Sequence, residues 1–340
     1  MKSLLMILFS LLVTGVFAQG CPPQTHCNFD ATNPHIANQP VPPVYGIGFD
    51  RSLLEEYEYV RVREDLSIYD APDGEVVGST GLGFTFYSVE EIDETENWVR
   101  IGEDQWLPAE TLETEIKVSR FAGVGFYHPP SIPMGWILFH LHAAEYPGGE
   151  PSANNPFLYR FTRINIYGQQ DVGGYTWYQI GENQWVHQFN VAKVSPIVRP
   201  AGVVTDRWIA IDLYEQTLTA YEGNNPVFAT LISSGMGMWP TREGNFRIYL
   251  RFPVTKMSGS EGEIDYYYLQ DIPYTMYFDG DIALHGTYWH EAFGFRKSHG
   301  CVNLSVTDAK WLFDWTRSAG SYTNSGYQGA SVYVYSTGSF

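Results

Sequence analysis

The sequence predicts a mostly β protein: two small, related β modules, then a larger β domain with one short helix. Three observations carry that expectation. A ten-residue hairpin pattern bounded by tryptophan occurs twice, at 98–107 and 177–186. From Trp208 onward, apolar and polar residues alternate along successive short runs, the two-residue period of half-buried strands. After Ser305 the period changes, and Ala309, Trp311, Leu312 and Trp315 follow helical spacing.

The first element reads as an export signal. Lys2 supplies a positive charge, Leu4 to Phe17 an apolar core, and Val16-Phe17-Ala18 a small-residue cleavage pattern, giving a signal peptide over 1–18. The apolar run is too short to serve comfortably as a bilayer-spanning anchor. The protein is therefore expected in the extracytoplasmic cell envelope. Cys21 opens a second reading, a lipidated N-terminus. It ranks below simple secretion because Ala18 stands where lipoprotein signals usually carry Leu. Residues 19–56, rich in Pro and Asn without periodicity, read as a linker.

The 340-residue chain has the length of about two or three domains. Its formal charge of −18 repels phosphate backbones, so nucleic acid is excluded as a partner, and anionic lipid surfaces are disfavoured. Ligands with free amines are compatible with it. Of the three cysteines, Cys21 and Cys27 are close enough to form a small disulfide loop outside the cytoplasm. That leaves Cys301 as the odd thiol, a candidate reactive group.

In the first copy of the repeat, Trp98 to Leu107, the turn is Gly102-Glu103-Asp104. In the second, Trp177 to Val186, it is Gly181-Glu182-Asn183. Alternation on both sides of such a turn is a β-hairpin signature. Each copy ends a segment of short strands, at 57–118 and 119–195. This arrangement resembles the bacterial SH3-like modules that often precede cell-wall enzymes, which implies two small β-barrels. Two readings stay open for them: cell-wall binding, or a spacer packed on the domain that follows.

A Pro- and Gly-containing linker at 196–206 precedes a third domain at 207–337. Its strands include Ile209 to Leu213, Gln216 to Tyr221, Val227 to Ile232, Phe246 to Leu250, Ile282 to His285 and Val332 to Tyr335, with a tight turn at Gly223-Asn224-Asn225. Ser305 and Asp308 have the form of a capping box at the start of the helix. Cys301 thus lies just ahead of a helix N-terminus, a position that favours a thiolate modestly.

The chemistry concentrates in Ser298-His299-Gly300-Cys301-Val302-Asn303 and His285-Gly286-Thr287. A thiol becomes an effective nucleophile when a nearby imidazole takes its proton. Cys301 is the candidate nucleophile and His285 the candidate base. Gly300 permits a tight backbone turn, so that N–H groups near Gly300 and Cys301 can face an oxyanion. His299 can orient the site, while Ser298 and Asn303 can hydrogen-bond the loop into shape. His290-Glu291 fails as a zinc-protease motif because position 294 is Gly. No metal or cofactor is expected.

His285 followed by twelve residues and Ser298-His299-Gly300-Cys301-Val302-Asn303 resembles the signature of the YkuD-type L,D-transpeptidase catalytic domain. Ser234-Gly235 resembles the close of that family's opening strands. Thr241-Arg242-Glu243-Gly244-Asn245-Phe246 resembles its Thr-Pro-x-Gly-x-Phe segment, with Arg242 where Pro is usual. The resemblance covers Trp208 to Tyr335 and implies a β-sandwich domain acting on peptidoglycan stem peptides, both donor and acceptor. It implies that Cys301 forms a thioester, D-Ala leaves, and an acceptor amine completes a 3→3 cross-link. His285 is then the general base, with His299, Gly300, Ser298, Asn303, Gly286 and Thr287 in supporting or substrate-binding positions. It further implies acylation by carbapenems and a flap at Lys256 to Asp265. Two alternatives remain: an L,D-carboxypeptidase, in which water is the acceptor, and a non-catalytic wall-binding protein working through Trp98, Trp106, Trp177 and Trp185.

Overall fold

The computed structural model describes residues 44–323 and 326–338. The export signal, Cys21 and Cys27 lie outside the described residues. The architecture is mostly β, with one principal helix, Val306–Thr316, near the C-terminus.

Two sheets form the sandwich that carries the third domain. The first runs Val44–Gly46, Val124–Phe126, Asn225–Leu231, Thr217–Glu222, Arg207–Asp212, Ser331–Tyr335, Gly244–Arg247. The second runs Glu58–Val62, Phe84–Val89, Tyr267–Asp279, Ile282–Gly286, Val302–Leu304, with Leu250–Gly259 also paired to Tyr267–Asp279. Alternation in these strands sends Ile209, Ile211, Leu218 and Phe228 of the first sheet against Met276, Leu284, Val302 and Leu304 of the second, all fully buried. The helix closes this core with Ala309, Leu312 and Phe313.

The helix begins as Ser305 indicates, with its Oγ accepting from Asp308 N–H at 3.1 Å. The reciprocal half of the capping box is not made. The Asp308 carboxylate instead accepts from Gly123 N–H (2.9 Å) and Thr230 Oγ1 (2.5 Å), tying the helix to the first sheet.

Three features differ from the sequence reading. Among the described residues no sheet closes into a barrel, so the two expected barrels are open sets of strands. In the first, Val76–Ser79, Ser67–Tyr69, Gln105–Pro108, Trp98–Gly102 and Glu91–Ile92 form one sheet. Glu58–Val62 and Phe84–Val89, expected in the same barrel, join the second sheet of the sandwich instead. Phe84, Thr85 and Phe86 pair in parallel with Tyr267, Tyr268 and Leu269. Second, part of the segment read as linker is ordered: Val44–Gly46 is a strand on the edge of the first sheet and Ser52–Glu56 a short helix. Third, Phe246 to Leu250 is not one strand. Ile248 N–H donates to Ala330 O and Tyr249 N–H to Tyr277 O, so the chain crosses from the first sheet to the second at this point.

The repeated hairpins do adopt one geometry. Each has a register shift beside its turn, and the second loop residue, Asp104 (φ 51°) or Asn183 (φ 53°), is left-handed. Asp and Asn tolerate that conformation better than most residues. Their tryptophans pack differently: Trp185 is buried, whereas Trp106 is half-buried.

Candidate active site

Ile282–Gly286 and Val302–Leu304 are neighbouring parallel strands, with His285 paired to Asn303. Cys301 lies two residues before Asn303 and so shares its face. At ~3.3 Å per residue and ~4.8 Å between strands, the Cα atoms of His285 and Cys301 lie about 8 Å apart, a gap that an imidazole and a thiol reach across. Both side chains line one cavity of about 450 Å³.

The loop before Cys301 is anchored by the two segments that resemble the family. Lys297 and Ser298 N–H donate to Ser234 O at 2.9 and 3.1 Å. Thr241 Oγ1 accepts from Gly235 N–H (2.9 Å) and donates to Gly300 O (2.7 Å). Gly300 has φ +119°, a conformation that L side chains rarely adopt. Arg242, in the usual Pro position, forms a bidentate pair with Asp279 at 2.7 and 2.5 Å. That pair fastens the segment to the turn leading into Ile282–Gly286.

The thiol sits within that turn. Cys301 Sγ accepts from Ala283 N–H at 3.4 Å and donates to Asp281 O at 3.7 Å. Burial pushes its pKa up to about 11, with the Asp281 charge adding to the rise and the Ala283 N–H opposing it. The expected thiolate support from the helix is not delivered. The strand Val302–Leu304 separates Cys301 from the helix cap at Ser305, and the dipole effect fades within the first turn. Gly300 N–H, expected to face an oxyanion, is committed to Ser298 Oγ at 3.1 Å.

His285 is buried, and its Nδ1 lies 3.0 Å from Gly286 O. Only Nδ1–H can make that bond, so Nε2 keeps its lone pair. Burial pushes the His285 pKa down to about 4, against the Gly286 carbonyl, which raises it. The pair therefore rests as neutral thiol and neutral imidazole.

The other expected residues divide into two groups. Ser298, His299 and Asn303 line the cavity with the pair. The His299 ring lies between Trp239, tilted against it with ring centres 4.2 Å apart, and Tyr267, stacked on it at 5.2 Å. Gly286 and Thr287 work from behind: Gly286 supplies the carbonyl for His285, and a Cβ there would meet Pro273 Cγ at 2.8 Å. Thr287 is buried, with its N–H on Leu304 O at 2.9 Å.

Sequence reasoning missed two wall residues, Tyr267 and Phe84, and left Trp289, Tyr288 and Phe293 open between lining the cleft and aromatic packing. Burial raises the Tyr267 hydroxyl pKa, and its ring lines the cavity beside Cys301. Trp289 stacks on His285 at 5.7 Å. Phe84 enters the cavity wall from the N-terminal half of the chain. Trp289 was legible as an aromatic close to His285, whereas no local pattern signals Tyr267 or Phe84. Tyr288 and Phe293, by contrast, are fully buried and pack in cores.

The sandwich and this cavity define a β domain in which a thiol and an imidazole line one open space. Residues 206–334 match the family model described as YkuD, the L,D-transpeptidase catalytic domain, and that segment is such a domain. YciB of Bacillus subtilis strain 168, provisionally named an L,D-transpeptidase, is 27% identical over 120 residues, covering 32% of this chain and 59% of its own. A crystal structure of an L,D-transpeptidase from Stackebrandtia nassauensis is 26% identical, covering 39% of this chain and 58% of that one, with a TM-score of 0.29. The NMR structure of the E. faecium L,D-transpeptidase catalytic domain is 24% identical, covering 39% and 98%, with a TM-score of 0.33. The chain thus spans less than two thirds of the length of YciB and of the Stackebrandtia protein. Both scores lie below 0.5, so the family assignment rests on the sequence match.

Proposed function

We propose that the protein is an exported peptidoglycan L,D-transpeptidase that forms 3→3 cross-links through a thioester on Cys301. The observation that carries this reading is the shared cavity: thiol and imidazole open into one space, and the Gly286 carbonyl leaves His285 Nε2 free to accept a proton.

The resting protonation states set the order of events. Sγ attacks the carbonyl between the third stem residue and D-Ala as its proton passes to Nε2. The tetrahedral intermediate collapses, the C–N bond breaks, and the imidazolium returns the proton to the D-Ala amine. An acceptor amine then attacks the thioester, gives a proton to Nε2, and expels the thiolate. Nε2 passes that proton to the sulfur, restoring the neutral pair. No stage requires a standing thiolate, which accords with a thiol pKa raised by burial.

A defined tetrapeptide donor, supplied with and without an amine acceptor, tests the proposal by mass analysis of the products. Cross-linked dimer is expected with the wild type and none with Cys301→Ala. Hydrolysis alone, even with acceptor present, would assign the carboxypeptidase reaction instead. One compared structure is an E. faecium catalytic domain acylated by ertapenem. The same adduct is expected here on Cys301, and peptide mapping that placed it elsewhere would contradict the assignment.

A further inference from the structure

The cavity around Cys301 and His285 has charged walls of both signs. Asp265 and Asp281 bring carboxylates to it, and Lys297 is the one Lys or Arg among its described lining residues. Lys297 has no part in the proposed steps. Its backbone is fixed: the N–H donates to Ser234 O at 2.9 Å, and the neighbouring Ser298 is bridged to Gly235. Lys297 itself is exposed, and its side chain makes no ion pair or hydrogen bond among the described residues. An ammonium on a cleft wall with no carboxylate partner is suited to an anionic group of a ligand.

The two signs sit at different ends of the site. Asp281 immediately precedes the strand Ile282–Gly286, so His285 lies about 13 Å further along the chain at strand spacing. The sulfur is at the Asp281 end, with Sγ 3.7 Å from Asp281 O. Lys297 is at the other end, beside His290. Burial, then the charges of Lys297, His285 and Arg160, hold the His290 pKa down to about 3, which places both Lys297 and His285 close to that ring. Arg160 is already engaged, by the Glu291 carboxylate at 3.8 Å and by the Glu291 and Phe293 carbonyls.

An acyl donor follows the same order. Its scissile carbonyl meets Sγ and its leaving amine meets His285 Nε2. The D-Ala carboxylate, one carbon beyond that amine, then continues towards His290 and Lys297. The reverse placement would set it against Asp281.

We infer that Lys297 is a specificity-determining residue whose ammonium receives the terminal carboxylate of the acyl donor, so that the cavity selects stems ending in a free D-Ala carboxylate. The inference rests on the transpeptidase reading for the identity of that donor.

Calorimetry with Cys301→Ala, which keeps the donor uncleaved, compares the tetrapeptide acid with its C-terminal amide. A pair at a cleft wall stays partly in water, so the acid is expected to bind about five- to tenfold tighter. Adding Lys297→Met, which keeps the apolar stem, is expected to abolish that preference, and adding Lys297→Arg to retain it. The inference is overturned if the acid is not preferred, if the preference survives Lys297→Met, if that change weakens both peptides equally, or if neither peptide binds. Cross-linked dimer made by the wild type alongside any of those results leaves the transpeptidase reading in place. A Lys297-dependent preference in a protein whose wild type makes no dimer leaves the inference standing and removes that reading.

Discussion

The protonation state of Cys301 gives the sharpest prediction, and a pH series of alkylation rates reads it directly. Burial pushes the thiol to about 11, so on the order of 1 in 10⁴ molecules is a thiolate at pH 7. A free cysteine of pKa near 8.5 is roughly 3% ionised there, so Cys301 is expected to alkylate about 300-fold more slowly than a free thiol. The rate with iodoacetamide, followed by intact mass, should climb about tenfold per pH unit from about pH 6 to 10. His285→Ala separates the two roles an imidazole can play. As a base recruited only during attack, its loss should change alkylation at pH 7 by less than about threefold, yet lower peptide transfer by ~10² to 10⁴. An alkylation rate that is flat between about pH 6 and 9, and that collapses in His285→Ala, would reveal a standing thiolate–imidazolium pair and refute the reasoning.

Three further outcomes follow from the packing. Asp308 has a folded-state pKa of about 6 against 3.8 when exposed, chiefly through burial. Its contribution to stability is therefore complete below about pH 4 and lost as pH rises through 6, about 3 kcal/mol at ~1.36 kcal/mol per pH unit. Asp308→Asn, which can keep both the Gly123 and Thr230 contacts, should flatten that limb in urea melts, and curves parallel to wild type would contradict it. Gly83→Ala places a Cβ 2.3 Å from Tyr266 O, so the strand joint at Phe84 should open and the melting temperature drop by several degrees; an unchanged melt would argue against that tight approach. Phe84→Ala should raise KM for the peptide donor several-fold through lost apolar contact at the cavity wall, and an unaltered KM would remove Phe84 from the binding surface.

How much could be read from the residues alone depended on whether the signal was local. The two-residue alternation of Ile209 to Leu213, the helical spacing after Ser305 and the twin hairpins are set by neighbours in the chain, and the structure keeps them. The Cys301 and His285 segments announced themselves by type and spacing, and they do share a cavity. What stayed hidden was the choice of partners. Nothing between 84 and 86 says that these residues will pair with 267–269 rather than complete a barrel, since edge selection is decided by distant strands. The switch of sheets at Ile248 is invisible to periodicity, because alternation continues across it. The thiolate expected at Cys301 failed for a similar reason. Sequence proximity to the helix overlooked the three-residue strand between them, and desolvation decides the pKa.

The joint between Phe84–Val89 and Tyr267–Asp279 also has a consequence for biogenesis. The two partners are separated by about 180 residues of chain, and parallel pairing over such a span is slow because the loop must close before any contact rewards it. While the polypeptide is being made, the edge of Phe84–Val89 waits unmatched until the last quarter of the chain has emerged. Nascent or truncated chains therefore carry a sticky, incomplete cleft, and a competent thiol pocket arises only once synthesis has run almost to its end.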